Sequence, residues 1–83
     1  MKTKLYNYKI LVEPDIRTGT NQSCYTALIP TLGVASDGDT IEEAIDNVKE
    51  AGSLYLESLI EDGIEIPQDS KKDYIITSTS IRV

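Results

Sequence analysis

The chain has 83 residues, of which 40% are hydrophobic and 27% charged, and its net charge at pH 7 is −6. This length allows one domain with one modest core, here residues 1–83, which excludes a multidomain enzyme, and the composition excludes an intrinsically disordered chain. The acidic balance and the scattered basic residues argue against direct nucleic-acid binding. A single cysteine and no histidine exclude a disulfide framework, a thiolate metal cluster and a Cys–His nucleophile. No apolar run is long enough for a signal peptide or a membrane span, so we expect a cytoplasmic protein.

The first third of the chain has the pattern of an antiparallel meander. Between Tyr6 and Val12, every second residue is large and apolar, as in a half-buried strand, and Glu13-Pro14-Asp15 is expected to end it. After a polar loop, Cys24–Ile29 reads as a second strand that Pro30 terminates. Val34–Ser36 is then predicted to form a short third strand.

A long helix is predicted from Ile41 to Asp62. Thr40 is a favourable N-cap and Glu43, three residues later, completes a capping box. Gly63 is expected to end the helix, because glycine commonly occupies the left-handed position after a helix. Gly52 lies within the apolar stripe of the helix and indicates close approach of the helix to the sheet. The apolar stripe comprises Ile41, Ala44, Ile45, Val48, Gly52, Tyr55, Leu56 and Leu59.

The residues from Tyr74 to Val83 are rich in Ile, Thr and Val and predict a last strand. The fold class is therefore α+β, in the order β-β-β-α-β, with an antiparallel-rich sheet and one long helix packed on one face. Because Tyr74–Ile81 contains neither charge nor proline, we expect this strand to pair with a second copy in a homodimer, unless it is buried inside the sheet. The residues expected to carry self-association are Tyr74, Ile76, Thr77, Thr79 and Ile81.

Negative charge is concentrated around the helix. The segment from Asp37 to Asp69 holds eleven acidic residues and one basic residue, a net −10 against −6 for the whole chain. At 100° per residue, part of this charge falls on one arc opposite the apolar stripe, and Leu54 projects into the same arc. The pattern fits either a solvated helix face or a docking face for a basic protein; the candidate partner-binding residues are Glu43, Asp46, Glu50, Leu54, Glu57 and Glu61.

The loop Ser36–Thr40 contains the carboxylates and the glycine that calcium loops and phosphate loops also use. It lacks the later ligands of a calcium loop and the lysine of a phosphate loop. We therefore expect a tight turn in which Gly38 allows a positive φ, and we predict no metal, no cofactor and no catalytic residue.

Several stretches of this sequence resemble the HicB-like antitoxin domain. They are Tyr25–Pro30, Leu32-Gly33, Ser36–Asn47 and Ile64–Pro67, and the most specific string is Gly-Asp-Thr-x-Glu-Glu-Ala-x-x-Asn from Gly38 to Asn47. The resemblance spans Tyr6 to Pro67 and implies a partial ribonuclease-H-like fold. This chain lacks the Pro-Gly-Cys-like turn that often follows the second strand in the family, and it lacks the DNA-binding extension of many members.

The resemblance implies a non-enzymatic antitoxin that binds and masks a small, basic, RNA-cleaving toxin of the HicA type. Two alternatives remain open at this point: a stand-alone regulatory or ligand-binding module without a toxin, and a small hydrolase that uses Asp or Glu. Fold and motif restrict function only loosely, so surface geometry has to discriminate among them.

Overall fold

A computed structural model of the chain describes residues 4–69 and 77–83. It contains a three-stranded antiparallel sheet in the order β1-β2-β3, formed by β1 (Leu11–Ile16), β2 (Ser23–Ile29) and β3 (Val34–Gly38). One helix, α1 (Ile41–Glu61), follows the sheet and packs against it. The α+β class and the β-β-β-α part of the predicted order are confirmed.

The predicted bounds of the first strand are wrong at both ends. Pairing with β2 begins at Leu11, which lies opposite Leu28, and continues through Glu13-Pro14-Asp15 to Ile16, opposite Ser23. In this register Lys9 would lie opposite Pro30, where β2 has already ended, so β2 offers the preceding residues no pairing partner. Pro14 is tolerated because β1 is an edge strand and its outward side needs no amide.

The second and third strands agree closely with expectation, and Gly38 at the end of β3 explains the junction with α1. Gly38 is buried, and a Cβ there would lie 2.5 Å from the backbone nitrogen of Ala44. Gly38 does not use the positive φ that glycine allows; in the described chain only Gly19, Gly33 and Gly63 have one. Glycine is required at position 38 by close backbone approach rather than by turn geometry.

Local signals fix both ends of α1. The Thr40 hydroxyl accepts the amide of Glu43 at 3.0 Å, as predicted for the N-cap. At the other end Asp62 is the C-cap and Gly63 has φ +69°. The amide of Ile64 donates to the carbonyl of Leu59 at 2.9 Å, which forms a Schellman turn.

The core lies between α1 and the inner face of the sheet. A Cβ added to Gly52 would lie 3.0 Å from Cδ1 of Ile29, which confirms the predicted close approach. Two members of the predicted apolar stripe are exposed instead, Ile41 by 49% and Tyr55 by 40%, because three narrow strands cover only the centre of the helix face. The central buried residues are Ala27, Ile29, Leu32, Ala44 and Val48.

The predicted strand Tyr74–Val83 is not formed over residues 77–83, which belong to no helix or strand and are all exposed. Residues 74–76 lie outside the described residues. Strand propensity alone does not form a strand, because an extended segment needs a neighbouring backbone to pair with.

Candidate partner-binding surface

The outward side of α1 carries all six candidate partner-binding residues, and all six are exposed. They lie opposite the buried residues Ala44, Val48, Gly52 and Leu59 of the same helix. We call this surface the acidic face; its members are Glu43, Asp46, Glu50, Leu54, Glu57 and Glu61. The structure thus brings the predicted residues together on one surface.

Two large apolar side chains border the carboxylates in the C-terminal half of the acidic face. Leu54 is 61% exposed and Ile60 is 62% exposed. They lie on either side of Glu57 and Glu61, roughly 120° apart around the helix axis. Sequence reasoning missed Ile60, although its position outside the apolar stripe was a readable signal of exposure.

The carboxylates of the acidic face have no charge partner among the described residues. Within residues 4–69 and 77–83, none of its five acidic side chains takes part in an ion pair or donates or accepts a side-chain hydrogen bond. Within the described part of the chain, their charge is therefore not used to hold the fold together.

Two other acidic residues of the same segment, Asp37 and Asp39, stabilise the fold instead. The guanidinium of Arg17, in the loop after β1, contacts Oδ2 of Asp37 at 2.8 Å and Oδ1 of Asp39 at 2.6 Å. The hydrogen bond with Asp39, followed by the charges of both carboxylates, raises the pKa of Arg17. The backbone carbonyl of Asp37 also accepts the side-chain amide of Asn47 at 2.8 Å. These bonds hold the β1–β2 loop and the β3–α1 junction together.

Asp69 is likewise structural. It accepts the hydroxyl of Thr31, and its Oδ2 accepts the backbone amide of Lys9 at 2.6 Å. The bond from Thr31, and then that from Lys9, lowers the pKa of Asp69. Beside it the Tyr8 hydroxyl donates to the carbonyl of Pro67 at 2.6 Å, and burial raises the pKa of Tyr8. This cluster fastens the segment after α1 to the N-terminal segment.

The described residues offer little to metal or catalytic chemistry. Among them no three His, Cys, Asp or Glu side chains are grouped so as to hold a metal ion. Cys24 is buried in β2 as a free thiol. Nor does any helix in the described part of the chain have the length and apolarity needed to cross a bilayer. An open groove of about 470 Å³ lies between residues 4–8 and α1.

The residues expected to carry self-association are only partly described. Thr77 and Thr79 are exposed, and Ile81 is exposed by 82%. Tyr74 and Ile76 lie outside the described residues.

A family model for the HicB-like antitoxin of bacterial toxin–antitoxin systems matches residues 8–81. The chain belongs to this family. The match includes the strands, α1 with its acidic face and most of the C-terminal residues, so the surface described above is part of the HicB-like domain itself.

Relatives of this HicB-like chain occur in a cyanobacterium and a phage. A UPF0150 protein of Synechocystis sp. is 43% identical over 81 residues, covering 96% of this chain and 92% of that protein. An uncharacterized 14.9 kDa protein from the rep-hol intergenic region of Haemophilus phage HP1 is 35% identical over 68 residues, covering 69% of this chain and 51% of the phage protein. No solved structure matches the chain.

Proposed function

We propose that this HicB-like chain is an antitoxin that binds and masks a small, basic, RNA-cleaving toxin of the HicA type through the acidic face of α1. The observation that carries the proposal is the row of exposed carboxylates on that face, which pair with no described residue, together with membership of the antitoxin family. In this role the chain acts in the cytoplasm, catalyses no reaction, and binds no nucleic acid by itself.

The charge of the acidic face suits a protein that competes with RNA. A toxin that cleaves RNA must hold phosphates, so its substrate-binding surface is basic. An acidic helix can occupy such a surface in place of RNA and accelerate its own association by long-range attraction. Neutralisation then follows from occlusion and needs no catalytic group on this chain.

The apolar border of the acidic face supplies the second requirement of a stable complex. Charge raises the association rate, whereas a slow dissociation rate depends on side chains that become fully desolvated. Leu54 and Ile60, both more than half exposed, are the large apolar side chains next to Glu57. We assign them as the anchors around which the carboxylates orient the partner.

The test is binding to the product of a short basic reading frame adjacent to this gene. Glu50→Lys with Glu57→Lys should reduce the association rate about tenfold or more at low salt, because both changes reverse charge at the centre of the face. The matched control, Glu13→Lys with Glu65→Lys, changes the net charge equally at exposed positions outside α1 and should have a much smaller effect. Surface plasmon resonance at two salt concentrations separates the two pairs.

Leu54→Ala should act differently, raising the dissociation rate about tenfold while leaving the association rate nearly unchanged. Equal effects of the two Lys pairs, with circular dichroism showing intact folds, would reject the acidic face as the docking surface. Failure of the unmodified chain to bind or neutralise the basic neighbour would reject the antitoxin proposal and leave a stand-alone regulatory module.

We also propose that the chain works as a homodimer. The C-terminal residues expose Ile81 by 82% and Val83 completely, and nothing in the described part of the chain covers them. Burial of these side chains against a second copy would remove apolar surface from water.

A further inference from the structure

The groove of about 470 Å³ between residues 4–8 and α1 is lined by none of the six residues of the acidic face. Its floor consists of the buried residues Ile29, Leu32 and Gly52. A Cβ added to Gly52 would lie 3.0 Å from Cδ1 of Ile29 and 3.8 Å from Cδ1 of Leu32, so the helix closes the floor by direct packing on the sheet. The volume lies within the range of roughly 300–1,000 Å³ that small-molecule sites occupy.

The walls of the groove are apolar and aromatic. They are formed by the half-buried residues Tyr6, Tyr8, Ile10 and Leu56. The Tyr8 hydroxyl donates to the carbonyl of Pro67 at 2.6 Å, which holds this ring in place. Apolar walls with two tyrosine rings offer a surface on which the apolar body of an organic molecule can pack.

The rim of the groove is basic, although the chain as a whole is acidic. Lys4 and Lys49 are exposed and line the groove, and no Asp or Glu lines it among the described residues. The whole chain has 14 acidic residues against eight basic ones, and Lys49 is the one base between Asp37 and Asp69. Neither lysine forms an ion pair with a described residue. The local potential of the groove therefore favours an anion.

Two uncharged hydrogen-bond donors lie on the same rim. The side chains of Asn7 and Ser53 are exposed, line the groove and can donate hydrogen bonds to an oxyanion. Asp69 borders residues 4–8 away from this groove, and its carboxylate already accepts two hydrogen bonds. Within the described part of the chain, the groove thus presents cations and donors on its rim and no anionic side chain.

We propose that this groove binds an amphipathic anion, a small molecule with an aromatic or aliphatic body and one carboxylate, sulfonate or phosphate group. The body lies on the floor against Ile29 and Leu32, and the anionic group lies at the rim, where the flexible stems of Lys4 and Lys49 let both ammonium groups reach it. Burial of the body supplies most of the affinity, and the lysines select an anion over a neutral molecule. This site goes beyond the proposed antitoxin role and does not depend on toxin binding.

Two fluorescent probes with the same rings test the role of the lysines. Anilinonaphthalene sulfonate is an amphipathic anion, and phenylnaphthylamine is the same ring system without the sulfonate. In low-salt buffer, Lys49→Gln should raise the dissociation constant of the sulfonate about fivefold and leave that of the neutral probe nearly unchanged. The matched control is Arg82→Gln, which removes one positive charge at an exposed position outside the groove and should change neither constant appreciably. Equal effects of Lys49→Gln on the two probes, or equal effects of Lys49→Gln and Arg82→Gln on the sulfonate, would overturn the proposal.

A second pair of variants places the probes in the groove. Ser53 and Ser58 are both exposed on α1, and of the two only Ser53 lines the groove. Ser53→Trp should raise the dissociation constants of both probes about tenfold or more, because the indole occupies the space of the apolar body, whereas Ser58→Trp should leave them unchanged. Circular dichroism checks that both variants fold. Equal binding by the two Trp variants, or no saturable binding of the sulfonate to the unmodified chain at millimolar concentration, would overturn the proposal and leave the antitoxin role untouched.

Discussion

The two faces of α1 obey different constraints. The centre of the inward face is built from the small residues Ala44, Val48 and Gly52, and at Gly52 even a methyl group would press on Ile29 at 3.0 Å. The outward face carries long acidic side chains that contact no described charge partner. The inward residues are therefore constrained by packing against the sheet, whereas the outward acidic residues have no charge partner among the described residues that would constrain them.

The largest expected effect on stability comes from introducing Asp on the inward face of α1, compared with introducing Asp on the outward face. Val48 is completely buried and Leu54 is 61% exposed. Val48→Asp should cost at least about 3 kcal/mol in the free energy of unfolding, because it buries a charge without a partner. Leu54→Asp should change it by about 0.5 kcal/mol or less. Urea titration of both variants checks the contrast, and similar losses would show that the outward face is structural.

A second substitution tests whether close backbone packing at the β3–α1 junction requires glycine at position 38. Gly38→Ala would put a Cβ 2.5 Å from the nitrogen of Ala44 and 2.8 Å from the carbonyl carbon of Glu43. Because backbone atoms cannot move aside as the end of a flexible side chain can, we expect the free energy of unfolding to fall by about 2 kcal/mol. Gly19→Ala is the matched control because no atom lies within 4 Å, although its φ of +79° carries its own strain. A smaller loss at position 38 than at position 19 would contradict the close-approach argument.

The smallest expected effect separates structural carboxylates from those of the acidic face. The folded-state pKa of Asp69 is lowered below 3.8 by Thr31 and then by the Lys9 amide, so its contribution to stability is present above the unfolded pKa. It is lost as the pH falls through the lower folded pKa. Asp69→Asn should therefore destabilise the chain at pH 7, and the difference from the unmodified chain should shrink below about pH 4.

Chemical denaturation as a function of pH measures this difference. Glu65→Gln removes one exposed charge without removing a hydrogen bond found in the described chain and serves as the control for net charge. A stability difference for Asp69→Asn that is the same at pH 7 and pH 3 would show that its carboxylate is not linked to folding.

Sequence reasoning succeeded where a local signal has a local consequence. Thr40 caps the helix because its hydroxyl reaches an amide three residues away, and Gly63 ends it through its own φ. The acidic face was predictable for the same reason, since helical periodicity alone places its residues on one side. The family resemblance from Gly38 to Asn47 is confirmed by the match over residues 8–81.

Tertiary structure decided what depends on a neighbour. The first strand begins at Leu11 rather than Tyr6 because β2 ends at Ile29, and alternation within Tyr6–Val12 carries no information about that limit. Ile41 and Tyr55 fit the apolar period but lie beyond the area that the sheet covers. Residues 77–83 have strand composition but pair with no strand in the described part of the chain. Periodicity by itself determined which side of each segment is apolar, whereas packing against a neighbour decided where pairing and burial stop.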